Sequence, residues 1–313
     1  EKGIDGFRCD MAEMVPVEFW HWVIEKVKDK YPNIIFIAEI YNPGSYSSYI
    51  NYGHFDYIYD KVGMYDTLRA VTIGSQSATA ITSCWQNIGE NGEKMLHFME
   101  NHDEQRIASD VFAGNGIKGR PSMVVSACID KCPIMCYAGQ ELGERGMDNE
   151  GFSGTDGRST IFDYWAPDTL SRWYKDGELS DKHLTREEID LKSFYSRLFN
   201  ICTTENAIGK GLFFDLMYVN PDSEQFNAHK EYAFLRKYNN EMLLIVANFS
   251  DKTQQSQVVI PEHAFNYLQI ENRGRVNAVE LFTGQNVTID LQPNSPINVQ
   301  IPANGAIILK CKA

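Results

Sequence analysis

Short, continuously apolar runs alternate with helical stretches through the first two-thirds of the chain, and this alternation limits the fold more than any other feature. Residues 3–9 read as a short buried strand. Pro16 opens a helix (VEFWHWVIEKVKDKY) that carries Phe19, Trp20, Val23, Ile24 and Val27 on one face. The run NIIFIAE (residues 33–39) is too continuously apolar for a half-exposed strand, which predicts a parallel strand covered on both faces. Residues 55–59, 95–100 (MLHFME) and 132–137 complete five strands, with helical stretches at 64–88 and 122–129 between them. Such alternation predicts an α/β fold built on a parallel sheet. The stretch 139–163 is rich in Gly and Asp and long enough for a functional loop. A last helix at 185–203 starts with a capping box of Thr185 and Glu188.

After about Asn206 the rhythm changes. Runs at 232–238, 242–249, 254–260, 276–281, 287–291, 297–301 and 306–310 are separated by turn residues, as in an antiparallel β-sandwich. The chain therefore divides into residues 1–206 and residues 207–313.

Composition excludes some functions. A formal charge of −13 leaves no basic face for nucleic acid. No run of eighteen apolar residues exists, so no transmembrane helix is expected. A neutral substrate such as a sugar is compatible with an acidic chain. Seven cysteines, an odd number, cannot all pair within the chain, which favours a reducing compartment. Cys128, Cys132 and Cys136 recur every four residues, but their apolar surroundings favour small buried hydrophobes over a metal cluster. The opening EKGIDGFRCD has neither an initiator Met nor a signal-peptide pattern. The chain thus reads as a piece of a longer polypeptide, and nothing in it assigns a cellular location.

Three acids stand at or just beyond the C-terminal ends of predicted parallel strands: Asp10 in GFRCD, Glu39 in IFIAE and Asp103 in FMENHD. In a β/α barrel the βα loops open at that rim, where catalytic groups converge. Arg8 falls on the same strand face as Asp10, because side chains alternate with period two.

These motifs resemble those of the α-amylase family, glycoside hydrolase family thirteen. GFRCD is similar to the family's nucleophile motif, IFIAE to its general-acid strand, and FMENHD to the motif of its third carboxylate. Their order and separations agree too, with 29 residues from Asp10 to Glu39 and 64 more to Asp103. YAGQELG (residues 137–143) is a fourth likeness, and the trailing β region occupies the place of the family's C-terminal domain. The resemblance implies the second part of a (β/α)8 barrel, about five strands, followed by an all-β C-terminal domain. It implies a retaining double displacement on α-1,4- or α-1,6-linked glucans, starch or maltooligosaccharides. Asp10 is then the nucleophile and Glu39 the acid and base. Asp103 and His102 hold sugar hydroxyls, and Arg8 keeps Asp10 ionised and oriented.

The chain also departs from the family pattern. The family's first signature, an Asp followed by Asn-His, is expected before residue 1 and is absent, as are three of the eight barrel strands. The segment alone is therefore expected to be inactive. Met11-Ala12-Glu13-Met14 stands where some amylases carry Lys-His, and the proline of the last-strand motif comes one position early, at Pro133. Tyr41 is the leading candidate for a stacking platform under a sugar ring, ahead of Trp85, Phe152 and Trp165. No metal ligand is assigned. The family's usual calcium site draws on the absent region, and Asp148, Asp156 and Asp163 lack EF-hand spacing. Two alternatives stay open: an α-glucan transglycosylase or branching-type enzyme, and an inactive glucan-binding fragment.

Overall fold

A computed structural model describes residues 3–148, 154–162, 167–271 and 273–313. Five parallel strands, β1 (Gly6–Cys9), β2 (Ile35–Ala38), β3 (Tyr57–Tyr59), β4 (Met95–Phe98) and β5 (Ile134–Met135), lie side by side in chain order as a half-barrel. The helices of this half are α1 (Val17–Lys30), α2 (Tyr46–Asn51), α3 (Asp66–Thr72), α4 (Ala80–Ile88) and α5 (Arg120–Cys128).

The pleat sorts side chains between two cores. Met95 joins Phe36, Ala38 and Ile58 beneath Ile24 of α1. Leu96 and Phe98, one position on, pack with Tyr59 and Tyr65 on the opposite face. Both faces are covered at β3 and β4, whereas β1 and β2 leave Phe7 and Ile35 exposed, so the covering on both faces expected of residues 33–39 is not complete.

The helical stretch expected at 64–88 is broken into a π-helical turn (Lys61–Tyr65), α3 and α4. Gly74 takes a left-handed backbone (φ 76°) just past α3, and the Ser75 hydroxyl bonds the Ala70 carbonyl at 3.1 Å. That local bonding stops the helix. Helix α2 is only six residues long, too short for a periodic pattern to announce it.

Beyond β5 come α6 (Asp168–Trp173), a small ribbon of β6 (Tyr174–Lys175) and β7 (Glu178–Leu179), and α7 (Arg186–Thr204). The capping box is formed: Thr185 Oγ1 accepts from Glu188 N at 3.3 Å, and Glu188 Oε2 accepts from Thr185 N at 2.6 Å. Helix α8 (Asn206–Lys210) leads into antiparallel structure. Its strands are β8 (Leu212–Asp215), β9 (Glu231–Tyr238), β10 (Glu241–Asn248), β11 (Gln254–Val259), β12 (Gly274–Glu280), β13 (Asn286–Leu291), β14 (Pro296–Ile301) and β15 (Gly305–Lys312). Six form one sheet in the order β13-β12-β15-β10-β9-β8, and β11 pairs with β14 as a second layer. Strand β8 and the helix α9 (Glu262–Leu268) were not expected from the sequence pattern.

Strand β10 is central, and Met242 to Ala247 along it are all fully buried. Helix α5 contacts it from the half-barrel side, and β14 also packs against it. One core therefore runs from α5 and α7 into the antiparallel sheet. Arg236 of β9 sits inside it, 1% exposed, and among the described residues bonds no carboxylate. Its guanidinium donates instead to the carbonyls of Ala207 (3.1 Å), Ile129 (2.8 Å), Ile208 and Gly211 (3.1 Å). It thereby ties the end of α5 and the turn around α8 to the sheet. Burial holds its pKa below the ordinary arginine value.

Candidate active site

Parallel register brings the first two acids together. Cys9 lies opposite Ala38, so Asp10 and Glu39 leave adjacent strands at the same end of the sheet, and Glu39 N bonds Cys9 O at 3.1 Å. Arg8, two residues before Asp10, reaches both carboxylates. Its Nη1 pairs with Asp10, and its Nη2 stands 3.3 Å from Glu39 Oε2, a charge contact whose angle makes no hydrogen bond. Its Nε donates to Tyr59 Oη at 3.0 Å, with the guanidinium 5.0 Å from that ring's centre. Burial opposes the charge on Arg8. The Tyr59 bond and the two carboxylates outweigh it and hold the guanidinium firmly protonated.

The two acids meet different surroundings. The Asp10 side chain is 66% exposed on the open side of the half-barrel, whereas that of Glu39 is 10% exposed. Glu39 Oε2 accepts from Met11 N at 2.7 Å, where a left-handed backbone (φ 43°) turns the amide towards it. The Tyr41 phenol lies within the field of the Glu39 carboxylate. Burial first, then the charge of Glu39, pushes the Tyr41 phenol far above its ordinary range, so it remains a donor. Tyr41 is half-buried against the ring cluster around Tyr59 and Phe98.

Asp103 follows β4 by five residues, on a turn built by Asn101, whose Oδ1 accepts from the amides of Asp103 and Glu104, both at 2.8 Å. His102 Nε2 stands 3.2 Å from Asp103 Oδ2. The Asp103 charge, together with that of Glu39, raises the phenol pKa of both Tyr41 and Tyr59. It also acts on Arg158, which the loop after β5 carries beside Asp156. The structure thus joins Arg8, Asp10 and Glu39 directly and sets His102 beside Asp103 beyond the end of β4, while Tyr41 feels the charges of both Glu39 and Asp103.

Several supporting residues escape sequence reading. Tyr59 carries Arg8 through its hydroxyl and ring. Glu104 is held by Tyr65 Oη (3.0 Å) and Lys61 Nζ (3.4 Å), and it adds negative charge beside Asp103. Glu13, in the segment that differs from some amylases, accepts from the amides of Tyr41 (3.3 Å) and Asn42 (3.1 Å) and so fixes the loop after Glu39. A Tyr-Ile-Tyr strand and the Asp-Glu pair of FMENHDE were the available signals. Glu100 of the same motif is scaffolding. Its carboxylate and Arg106, each 1% exposed, pair at 2.8 Å, and Ile107 N adds a bond at 2.7 Å.

Other readings resolve differently. Trp85 packs on Phe213 with ring centres 4.8 Å apart, in the core shared with the antiparallel sheet, so it is no sugar platform. Phe152, Trp165 and Asp163 lie outside the described residues. All three cysteines of the four-residue repeat are free thiols: Cys128 is buried in the core shared with the antiparallel sheet, Cys132 faces His97 at 3.2 Å, and the half-buried Cys136 packs against that core, so among the described residues the three form no ligand group. Asp156 pairs with Arg158. No described helix is long and apolar enough to cross a membrane. In YAGQELG, Gln140 is buried and donates to Tyr195 Oη at 3.0 Å, a packing role.

No family model matches the chain. Over 155 residues it is 32% identical to α-amylase MalA of Haloarcula japonica, a match covering 47% of this chain and 21% of that protein. It is 24% identical over 265 residues to α-amylase 2 of Dictyoglomus thermophilum, covering 81% of this chain and 40% of the relative. The solved maltogenic α-amylase AmyB of Thermotoga neapolitana aligns over 99% of this chain and 61% of its own, with 18% identity and a TM-score of 0.66. The chain therefore spans well under half the length of the two curated relatives. The structural likeness shows the fold, part of an α/β barrel followed by an antiparallel β region.

Proposed function

This chain shares its sequence motifs and its fold with the α-amylase family, and we propose that it carries the acid cluster of a retaining glycoside hydrolase acting on α-1,4- or α-1,6-linked glucans. The observation that supports this most is Arg8 touching both Asp10 and Glu39 at the ends of neighbouring strands. A guanidinium shared by two carboxylates is compatible with the short separation of a retaining pair, about 5–5.5 Å.

In this reading Asp10 attacks the anomeric carbon as the glycosidic C–O bond breaks, and Glu39 gives its proton to the departing oxygen. The product is a β-linked glycosyl ester on Asp10. Glu39 then takes a proton from water, whose oxygen displaces Asp10 and restores the starting anomer. Arg8 balances the charge of the pair and aims Asp10. Asp103 and His102 grip hydroxyls of the sugar at the cleavage point, where binding that strengthens as the ring distorts lowers the barrier. Tyr41 offers its ring face to the sugar as a stacking platform.

The five strands form an open sheet, on whose open side Asp10 faces solvent while Glu39 is buried. Starch and maltooligosaccharides are the substrates to test, with the 313-residue chain alone and joined to strands that close the barrel. The closed form is expected to release sugars that keep the α configuration, and the chain alone to be inactive. Added acceptor sugars separate hydrolysis from glycosyl transfer. Inverted products from the closed form overturn the retaining assignment, and robust activity from the open form overturns the need for closure.

A further inference from the structure

Two histidines and a glutamate meet on the helical side of the half-barrel. His21 and Glu25 are four residues apart on α1 and share a face. His54 comes from the turn between α2 and β3. One ligand atom from each of the three lies within 4.8 Å of the others.

Hydrogen-bond accounting shows what this cluster lacks. His21 Nδ1 stands 3.0 Å from the Tyr52 carbonyl, which can only accept, so the ring hydrogen resides on Nδ1. The ring is stacked on that of Tyr52, with centres 4.5 Å apart and planes 6° from parallel, so it is fixed in this orientation. His54 Nε2 lies 2.9 Å from the same Nδ1 and therefore accepts. This leaves the lone pair of His21 Nε2 facing Glu25 Oε2 at 3.5 Å, while the single lone pair of His54 Nε2, 3.5 Å from Glu25 Oε1, is taken by the His21 Nδ1 hydrogen until an ion replaces that bond. The His21 Nε2 and Glu25 Oε2 acceptors face each other, an arrangement that either a ring proton or a bound metal ion relieves.

We propose that His21, Glu25 and His54 bind one divalent transition-metal ion of the Zn2+ type. The spacing suits it: metal–ligand bonds of about 2.0–2.2 Å place the ligands of a tetrahedral ion roughly 3.3–3.5 Å apart. Two imidazoles select a first-row transition ion over calcium or magnesium. The Tyr52 carbonyl on His21 Nδ1 is the outer contact that orients a histidine ligand. Glu25 and His54 open on a cleft of about 530 Å³ that admits water as the fourth ligand. Lys28 in that cleft is occupied by Asp56 at 2.7 Å. His54 holds a left-handed backbone (φ 65°), a conformation that costs a non-glycine residue energy and that serves here to aim the ring at α1. The bound ion clips α1 to the turn that enters β3. It takes no ligand from the strand ends that carry the acids.

The test uses the metal-stripped 313-residue chain titrated with ZnCl2, and separately with CoCl2. Expected are one ion per chain, a rise in thermal midpoint with Zn2+, and the intense visible absorption of four-coordinate Co2+. Two variants, His54→Asn, which keeps the left-handed backbone accessible, and Glu25→Gln, are expected to weaken binding by more than the about 100-fold that loss of an outer-shell contact costs. His229→Gln, remote from the cluster, is expected to bind like the parent. Absence of saturable binding overturns the proposal. So does stoichiometric binding that survives both variants, which assigns the ion to another place.

Discussion

Arg8 Nη2 lies 3.3 Å from Glu39 Oε2 while Nη1 of the same guanidinium pairs with Asp10. One side chain thus reads the positions of both acids, and its third nitrogen is anchored on Tyr59. A lysine offers one point of charge and cannot span three partners. Arg8→Lys in the closed-barrel form is expected to lower kcat by on the order of 100-fold, the cost of a small misplacement, with a much smaller change in KM. Steady-state kinetics on maltooligosaccharides check this. A change confined to KM removes Arg8 from the positioning role.

Asp10 and Glu39 are expected to fail in different ways. Asp10→Asn keeps volume but removes the attacking oxygen, and turnover is expected to fall by about 10⁴-fold or more on every substrate. Glu39→Gln is expected to cost about 10²–10⁴-fold on natural glucans. On an aryl glycoside, whose leaving group needs little protonation, the first step is expected to be far less affected. A pre-steady-state burst of the aryl alcohol measures that step directly. Equal losses on both substrate types in Glu39→Gln reverse the assignment.

His97 of β4 makes stability depend on pH. Its Nδ1 stands 2.8 Å from the Ser126 carbonyl and its Nε2 3.4 Å from Asp60 Oδ2, so both nitrogens face acceptors. Burial opposes the charged ring, but Cys132 and Asp60 outweigh it and hold the folded pKa well above the ordinary value. The folded state then binds more protons than the unfolded state between about pH 6.5 and the raised pKa. Stability from this residue is complete below about pH 6.5 and is lost as pH rises through the folded-state value. Urea unfolding across that range is expected to show the decline in the parent and not in His97→Gln.

Arg236 tests how the half-barrel and the antiparallel sheet depend on each other. Arg236→Met fills the space but strands the carbonyls of Ile129, Ala207, Ile208 and Gly211 in the core. A destabilisation of about 2–4 kcal/mol is expected by denaturant unfolding. Arg236→Lys is expected to recover only part of it, since an ammonium cannot reach four diverging acceptors.

What the sequence determined by itself is local. Apolar runs four to seven residues long mark strands whichever partners they find, and an acid directly after such a run, as at Asp10 and Glu39, stands at a strand end. The Thr185–Glu188 box closes within one helical turn, so its four residues suffice to predict it. The burial of β10 on both faces is likewise written in its unbroken apolar run. Tertiary structure decided what those pieces face. Trp85 is as apolar in the sequence as any sugar platform, and only the arrival of β8 from more than a hundred residues away makes it core. Tyr59 supports Arg8 from a separation of 51 residues, and His54 meets His21 from 33. Such pairs depend on strand register and helix packing, which sum many weak contacts across the chain, and no short window of sequence contains that sum.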